Sequence, residues 1–118
     1  MESIYKILEE NRGKVIYFDF WATTCPPCLA EMEPLKKLRS QYSTKDLIIY
    51  SICSGGNDTK KQWELCLDKY SMKNHDIECV YAADYIGLEN YQKITKQFKI
   101  NRLPYYILIN RKGQIIDY

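Results

Sequence analysis

Two apolar runs joined by a helical pattern constrain this chain more than anything else in it. Val15-Ile16-Tyr17-Phe18-Asp19-Phe20 and Leu47-Ile48-Ile49-Tyr50-Ser51-Ile52 are of strand length and almost unbroken by polar residues. Alternation would mark a strand wetted on one face, whereas continuity marks one buried on both. Between the runs, from Pro26 onward, Leu29, Met32, Leu35 and Leu38 recur at three-residue steps, with Glu31, Lys36, Lys37 and Arg39 interleaved. Strand, long helix and strand make a βαβ unit, which implies a parallel pair. Proline at the helix start is tolerated, because the first amides have no internal partner. Pro34 is expected to kink or divide this helix. Asp19 is the anomaly, an acid within a run that reads as core.

The remaining elements follow from period and punctuation. Residues 2–10 read as a short amphipathic helix capped by Ser3, with Ile4, Ile7 and Leu8 on one stripe, broken by Asn11-Arg12-Gly13. Ser54-Gly55-Gly56-Asn57-Asp58 is a loop. Residues 58–69 read as a helix with Trp63, Leu67 and Tyr70 on one face, Ile77 to Tyr81 as a short strand, and 88–98 as a helix carrying Tyr91, Ile94 and Phe98. Tyr105 to Ile109, the turn Asn110-Arg111-Lys112-Gly113 and Gln114 to Tyr118 predict a closing β-hairpin. The predicted fold is α/β, a mixed central sheet flanked by helices, in one domain over 1–118.

Composition narrows the function classes. A 118-residue chain with 46% hydrophobic and 27% charged residues can bury a core without metal or disulfide staples. The net charge of +2 and the scattered lysines (Lys36-Lys37, Lys60-Lys61, Lys93, Lys96, Lys99) read as solvated helix faces, not a nucleic-acid stripe. No apolar run approaches the roughly 20 residues that span a bilayer, and residues 1–12 lack a signal-peptide layout. Five cysteines is an odd number, irregularly spaced for a disulfide framework.

Cys25-Pro26-Pro27-Cys28 carries the chemistry. A C-x-x-C pair alone is a redox pair, half a zinc site or a coincidence, and here its context decides. It falls just after a buried strand and at a helix start, where free amides and the positive helix end favour a thiolate at Cys25. The thiolate is the reactive species. Cys28, one turn inside, can attack a mixed disulfide formed at Cys25, so Cys25 reads as nucleophile and Cys28 as resolving thiol. No second C-x-x-C follows, and the lone histidine, His75, sits in a polar loop. Cys53, Cys66 and Cys79 read as small buried hydrophobes, with a Cys66–Cys79 disulfide as an alternative.

Phe20-Trp21-Ala22-Thr23-Thr24-Cys25-Pro26-Pro27-Cys28, continuing through Leu29-Ala30-Glu31-Met32, resembles the thioredoxin-superfamily signature, and most of all its TlpA/ResA-type thiol–disulfide oxidoreductases. The likeness resumes at Arg102-Leu103-Pro104-Tyr105-Tyr106-Ile107-Leu108-Ile109-Asn110 and at Lys112-Gly113, and the stretch from about Cys53 to Gln97 fits the family's middle insertion. The resemblance implies a thioredoxin-like fold and dithiol–disulfide exchange, with reduction of protein disulfides as the expected direction. It further implies that Trp21 borders the active centre and that Asp19 holds the position of the buried acid. Glu31 matches the acid of the TlpA/ResA branch. Pro104 matches the cis-proline, whose neighbour Leu103 offers its backbone to an extended substrate. Tyr105 and Tyr106 are further candidates for substrate contact. Thr24 stands where a second tryptophan is usual, the helix proline falls one position late at Pro34, and the family's C-terminal helix is absent from these residues.

The expected partners are disulfide-containing proteins and an upstream electron donor, with no metal or organic cofactor, no nucleic acid and no membrane contact from this chain itself. The resemblance points to the bacterial periplasm or cell envelope, with a leader, an anchor and a final helix left open as parts of a longer chain. Three rival readings remain: a redox-inactive peptide-binding module on the same fold, metal or copper handling, and peroxide reduction.

Overall fold

The computed structural model describes residues 4–54 and 60–118, without the side chain of Ile4. The elements run α1 (Ile4–Glu10), β1 (Val15–Trp21), α2 (Pro26–Ala30), α3 (Met32–Gln41), β2 (Leu47–Cys53), α4 (Lys60–Lys69), β3 (Glu78–Tyr81), a π-helical turn (Ala83–Gly87), α5 (Leu88–Gln97), β4 (Tyr105–Ile109) and β5 (Ile115–Asp117). The sheet has the order β3-β2-β1-β4-β5. β1 pairs parallel with β2, and β2 with β3. β4 pairs antiparallel with β1 and with β5. The predicted βαβ half and closing hairpin are both present. The cap expected at Ser3 and most of the 54–58 loop lie outside the described residues.

Side chains alternate across the sheet, so each strand feeds two cores. Ile16, Phe18 and Phe20 of β1 join Tyr50 and Ile52 of β2, Val80 of β3 and Ile107 and Ile109 of β4 on one face, closed by Ile7 of α1 and by Tyr91 and Ile94 of α5. On the other face Trp21, Leu47, Ile49 and Cys53 pack with Cys28, Met32 and Leu35 of α2–α3 and with Cys66 and Leu67 of α4. β1 and β2 read as continuous apolar runs because both their faces are covered.

The long predicted helix is divided, and its break falls at Glu31, between α2 and α3, rather than at Pro34 itself. Proline has no N–H to give the carbonyl four residues back, and its ring crowds that carbonyl. For Pro34 that carbonyl belongs to Ala30, so the interruption appears one turn before the proline that causes it. At the far end of α3, Arg39 is buried (5% exposed) rather than solvated. Its guanidinium donates to the carbonyls of Leu47 (2.5 Å) and Tyr42 (2.7 Å), tying the helix exit to the start of β2. In the hairpin, Asn110 Oδ1 accepts from the amides of Lys112 and Gln114. Gly113 takes φ +80° there, a region that disfavours side chains.

Candidate functional site

The strand-to-helix junction forms where β1 ends at Trp21 and the fixed backbone angle of Pro26 starts α2. Cys25 is the N-cap of α2, in extended conformation. The Cys28 N–H donates to Cys25 Sγ at 3.2 Å. This amide hydrogen bond is the one that would stabilise a thiolate at that sulfur. Cys25 and Cys28 are joined in a disulfide, with Cα atoms 5.2 Å apart. Cys25 is partly exposed, whereas Cys28 is 3% exposed within the helix-side core. Access is therefore through Cys25.

The Leu103–Pro104 peptide is cis. It precedes β4, which pairs with β1, and brings the Leu103 carbonyl oxygen to 3.6 Å from Cys25 Sγ. Residues 78 positions apart are thus in contact. Trp21 borders the cysteine pair from the core side. It is 1% exposed and packs in the core with Cys28, so it backs the pair from within and has no surface to offer a substrate.

Asp19 is 6% exposed, on the same sheet face as the helix-side core. Its Oδ1 has no hydrogen-bond partner among the described residues. Burial, and secondarily the charge of Glu31, push its carboxyl up from 3.8 to about 7. Glu31 is exposed at the break between the two helices. It lines, with Asp19, Tyr17, Pro34 and Tyr106, a cavity of about 120 Å³. The helix break thus places one acid at the surface end of a cavity whose inner end is the other. The sequence did not single out Tyr17, whose ring lies 5.5 Å from that of Tyr106. Its spacing of two from Asp19 was the available signal. Tyr106 arrives opposite Asp19 only through the β1–β4 register. Tyr105 points to the other face, beside Phe20, and its hydroxyl donates to the Phe98 carbonyl (3.2 Å).

Cys53 and Cys66 are buried, Cys79 is intermediate, and all three lie outside any disulfide, so the Cys66–Cys79 pairing does not form. Burial above all pushes the Cys79 thiol up to about 11. His75 is exposed. Among the described residues no cluster of His, Cys, Asp and Glu has the makings of a metal site, and no helix is long and apolar enough to cross a membrane.

Among curated proteins the chain is similar to the thiol-disulfide oxidoreductase ResA of Halalkalibacterium halodurans, at 28% identity over 92% of this chain and 55% of that protein. It is also similar to the thioredoxin-like protein YneN of Bacillus subtilis, at 31% identity over 93% of this chain and 58% of that protein. It spans a little over half the length of both. The thioredoxin domain of a thiol-disulfide oxidoreductase from Bacteroides vulgatus shares the fold, with a TM-score of 0.76 at 20% identity over 92% of this chain and 71% of that one. The mixed five-stranded sheet is accordingly thioredoxin-like. With the redoxin family model matching residues 5–118, the whole of the sheet and the cysteine pair included, this chain belongs to the redoxin family.

Proposed function

We propose that the chain carries out thiol–disulfide exchange, reducing disulfides of other proteins through Cys25 and Cys28. The observation that carries this is the pair itself: a partly exposed sulfur at a helix N-cap, held by the Cys28 amide and disulfide-bonded to a buried partner. The names of the ResA and YneN relatives support the same reading.

In the reduced protein the Cys25 thiolate attacks one sulfur of a substrate disulfide. That S–S bond breaks, its departing thiolate takes a proton from solvent, and a mixed disulfide remains at Cys25. Cys28 then loses its proton and attacks Cys25 Sγ. The second substrate sulfur leaves as a thiolate and is protonated from solvent, and the two electrons that Cys25 and Cys28 give up in forming their disulfide are the two the substrate has gained. Asp19 is the acceptor proposed for the Cys28 proton, because an acid titrating at about 7 holds both forms at neutral pH. Glu31, across the small cavity, passes that proton on to water. Leu103 and Pro104, beside Cys25, present backbone to an extended substrate segment. Trp21 fixes the wall behind the cysteines. An upstream dithiol donor resets the pair, and the resemblance to TlpA/ResA-type proteins supports work in the bacterial periplasm or cell envelope.

The test is reduction of the interchain disulfides of insulin by the purified protein with dithiothreitol supplied. Catalysed reduction that Cys25→Ser abolishes is the expected result. Full activity in that variant overturns the mechanism. Localising the full-length gene product by fractionation tests the compartment.

A further inference from the structure

We propose that Ser51 is a positioning residue for the exchange reaction, the hydrogen-bond donor that sets how readily Asp19 gives up and takes back its proton. This rests on the reading of Asp19 as proton acceptor.

Register is the first observation. Asp19 of β1 pairs with Ser51 of β2, and Ser51 with Cys79 of β3, while Tyr106 of β4 pairs with Asp19 on the other side. The four form one row across the sheet, all on the face that packs under α2 and α3. Directly opposed side chains on neighbouring strands are about 5 Å apart.

The second observation is cost. Ser51 is fully buried (0% exposed), in a strand otherwise made of Leu, Ile, Tyr and Cys. Its hydroxyl has no hydrogen-bond partner among the described residues, and neither has Asp19 Oδ1 beside it. A buried hydroxyl left unpaired is unfavourable where an apolar side chain would serve packing equally well. Two such atoms in adjacent register positions complement each other: one can donate, and the other accepts most strongly once ionised. A turn about the serine χ1, or a single bridging water, closes the distance.

The third observation is the charge around Asp19. Tyr17 faces it from its own strand, Tyr106 from β4, Cys79 from β3 and Glu31 from the helix break. None of these groups is a cation, and Glu31 opposes ionisation of Asp19. A donor that bonds the carboxylate better than the acid offsets that opposition. A hydrogen bond from Ser51 therefore lowers the proton affinity of Asp19 from where burial and Glu31 set it, so that the acid readily gives up the proton it takes from Cys28.

The experiment reads Asp19 directly and the chemistry separately. Carboxyl carbon NMR follows the Asp19 titration in the oxidised protein, for wild type, Ser51→Ala and Ser51→Thr. Stopped-flow reaction of the reduced proteins with 5,5′-dithiobis(2-nitrobenzoate) gives the rate at which Cys28 releases the second nitrothiobenzoate, as a function of pH. Ser51→Ala is expected to move the Asp19 titration up by about one pH unit, about a tenfold change in proton affinity. The resolution profile moves with it, and Ser51→Thr, which keeps the hydroxyl, restores both. An Asp19 titration unmoved in Ser51→Ala, or one that moves while the resolution profile stays in place, overturns the proposal. Asp19→Asn is the separate control. If that variant keeps the wild-type resolution profile, the role given to Asp19 fails, whatever the NMR titration says of Ser51.

Discussion

Cys25 and Cys28 lie at the junction of β1 and α2, whereas Cys53 ends β2, Cys66 lies in α4 and Cys79 in β3. All five pack in or against the same hydrophobic cluster, so apolar surroundings do not separate the reactive pair from the rest. Backbone does. Cys25 caps a helix, receives the Cys28 amide and is partly exposed. Cys79, also partly exposed, sits on a strand with its sulfur 3.9 Å from the Met72 carbonyl, and burial raises its thiol. An amide aimed at sulfur favours the thiolate, and a carbonyl there favours the thiol. Under the proposed function, the same side chain is nucleophile or inert core according to which backbone group it meets.

The largest expected effect tests that contrast head on. Cys25→Ser should lower insulin reduction by at least about a thousandfold, because Cys28, Cys53 and Cys66 are buried and burial raises the Cys79 thiol. Cys79→Ser should leave the rate within about twofold of wild type, since its thiol takes no part. Equal losses in the two variants would erase the distinction. Cys28→Ser sharpens the division within the pair. It should accumulate a covalent adduct between Cys25 and a disulfide-containing peptide, visible by intact mass and released by dithiothreitol.

Asp19 extends the comparison to pH. Its carboxyl titrates at about 7 in the folded protein and near 3.8 when unconstrained. Between those values the unfolded chain has released a proton that the folded chain still holds, so stability falls as pH rises. The contribution is complete below about 4 and gone above about 7. Unfolding free energies of oxidised wild type from denaturant titrations should decline across this window by an amount on the order of a few kcal/mol. Asp19→Asn should flatten that decline, and an unchanged slope would mean that Asp19 is not the group responsible.

Smaller effects probe the buried thiols. Cys53 is 0% exposed, and Cys53→Ser should cost about 2 kcal/mol in denaturant unfolding, because the serine hydroxyl is poorly matched to an apolar site. In the reduced protein, Cys79 should be alkylated by iodoacetamide at least about a hundredfold more slowly than Cys25 at neutral pH, as its raised thiol leaves little thiolate. Comparable rates would show that backbone environment is not what separates the two regions.

The strands, the dithiol and the hairpin were legible in the sequence because each rests on local signals: continuous apolar runs, a proline at a helix start, turn residues between short strands. The π-helical turn at Ala83–Gly87 carried no such signal, since its stretch mixes Asp84 and Tyr85 with apolar residues. The helix break was anticipated from Pro34 but surfaces at Glu31, through a carbonyl that sequence spacing alone does not single out. The resemblance sets Trp21 beside the active centre, and only packing against Cys28 shows that it lies there as core.

By itself the sequence determined that Cys25 and Cys28 lie one helical turn apart after a buried strand, because helix geometry fixes residues three apart. It also determined that an acid, Asp19, falls inside that strand. Tertiary structure alone decided what those residues meet. Leu103 reaches Cys25 through the pairing of β4 with β1, and Tyr106, Ser51 and Cys79 line up with Asp19 through strand register. A one-residue slip of any strand would turn its side chain to the opposite face. Register comes from the burial of whole strands, so the surroundings that tune the cysteine pair are set by the sheet rather than by its motif.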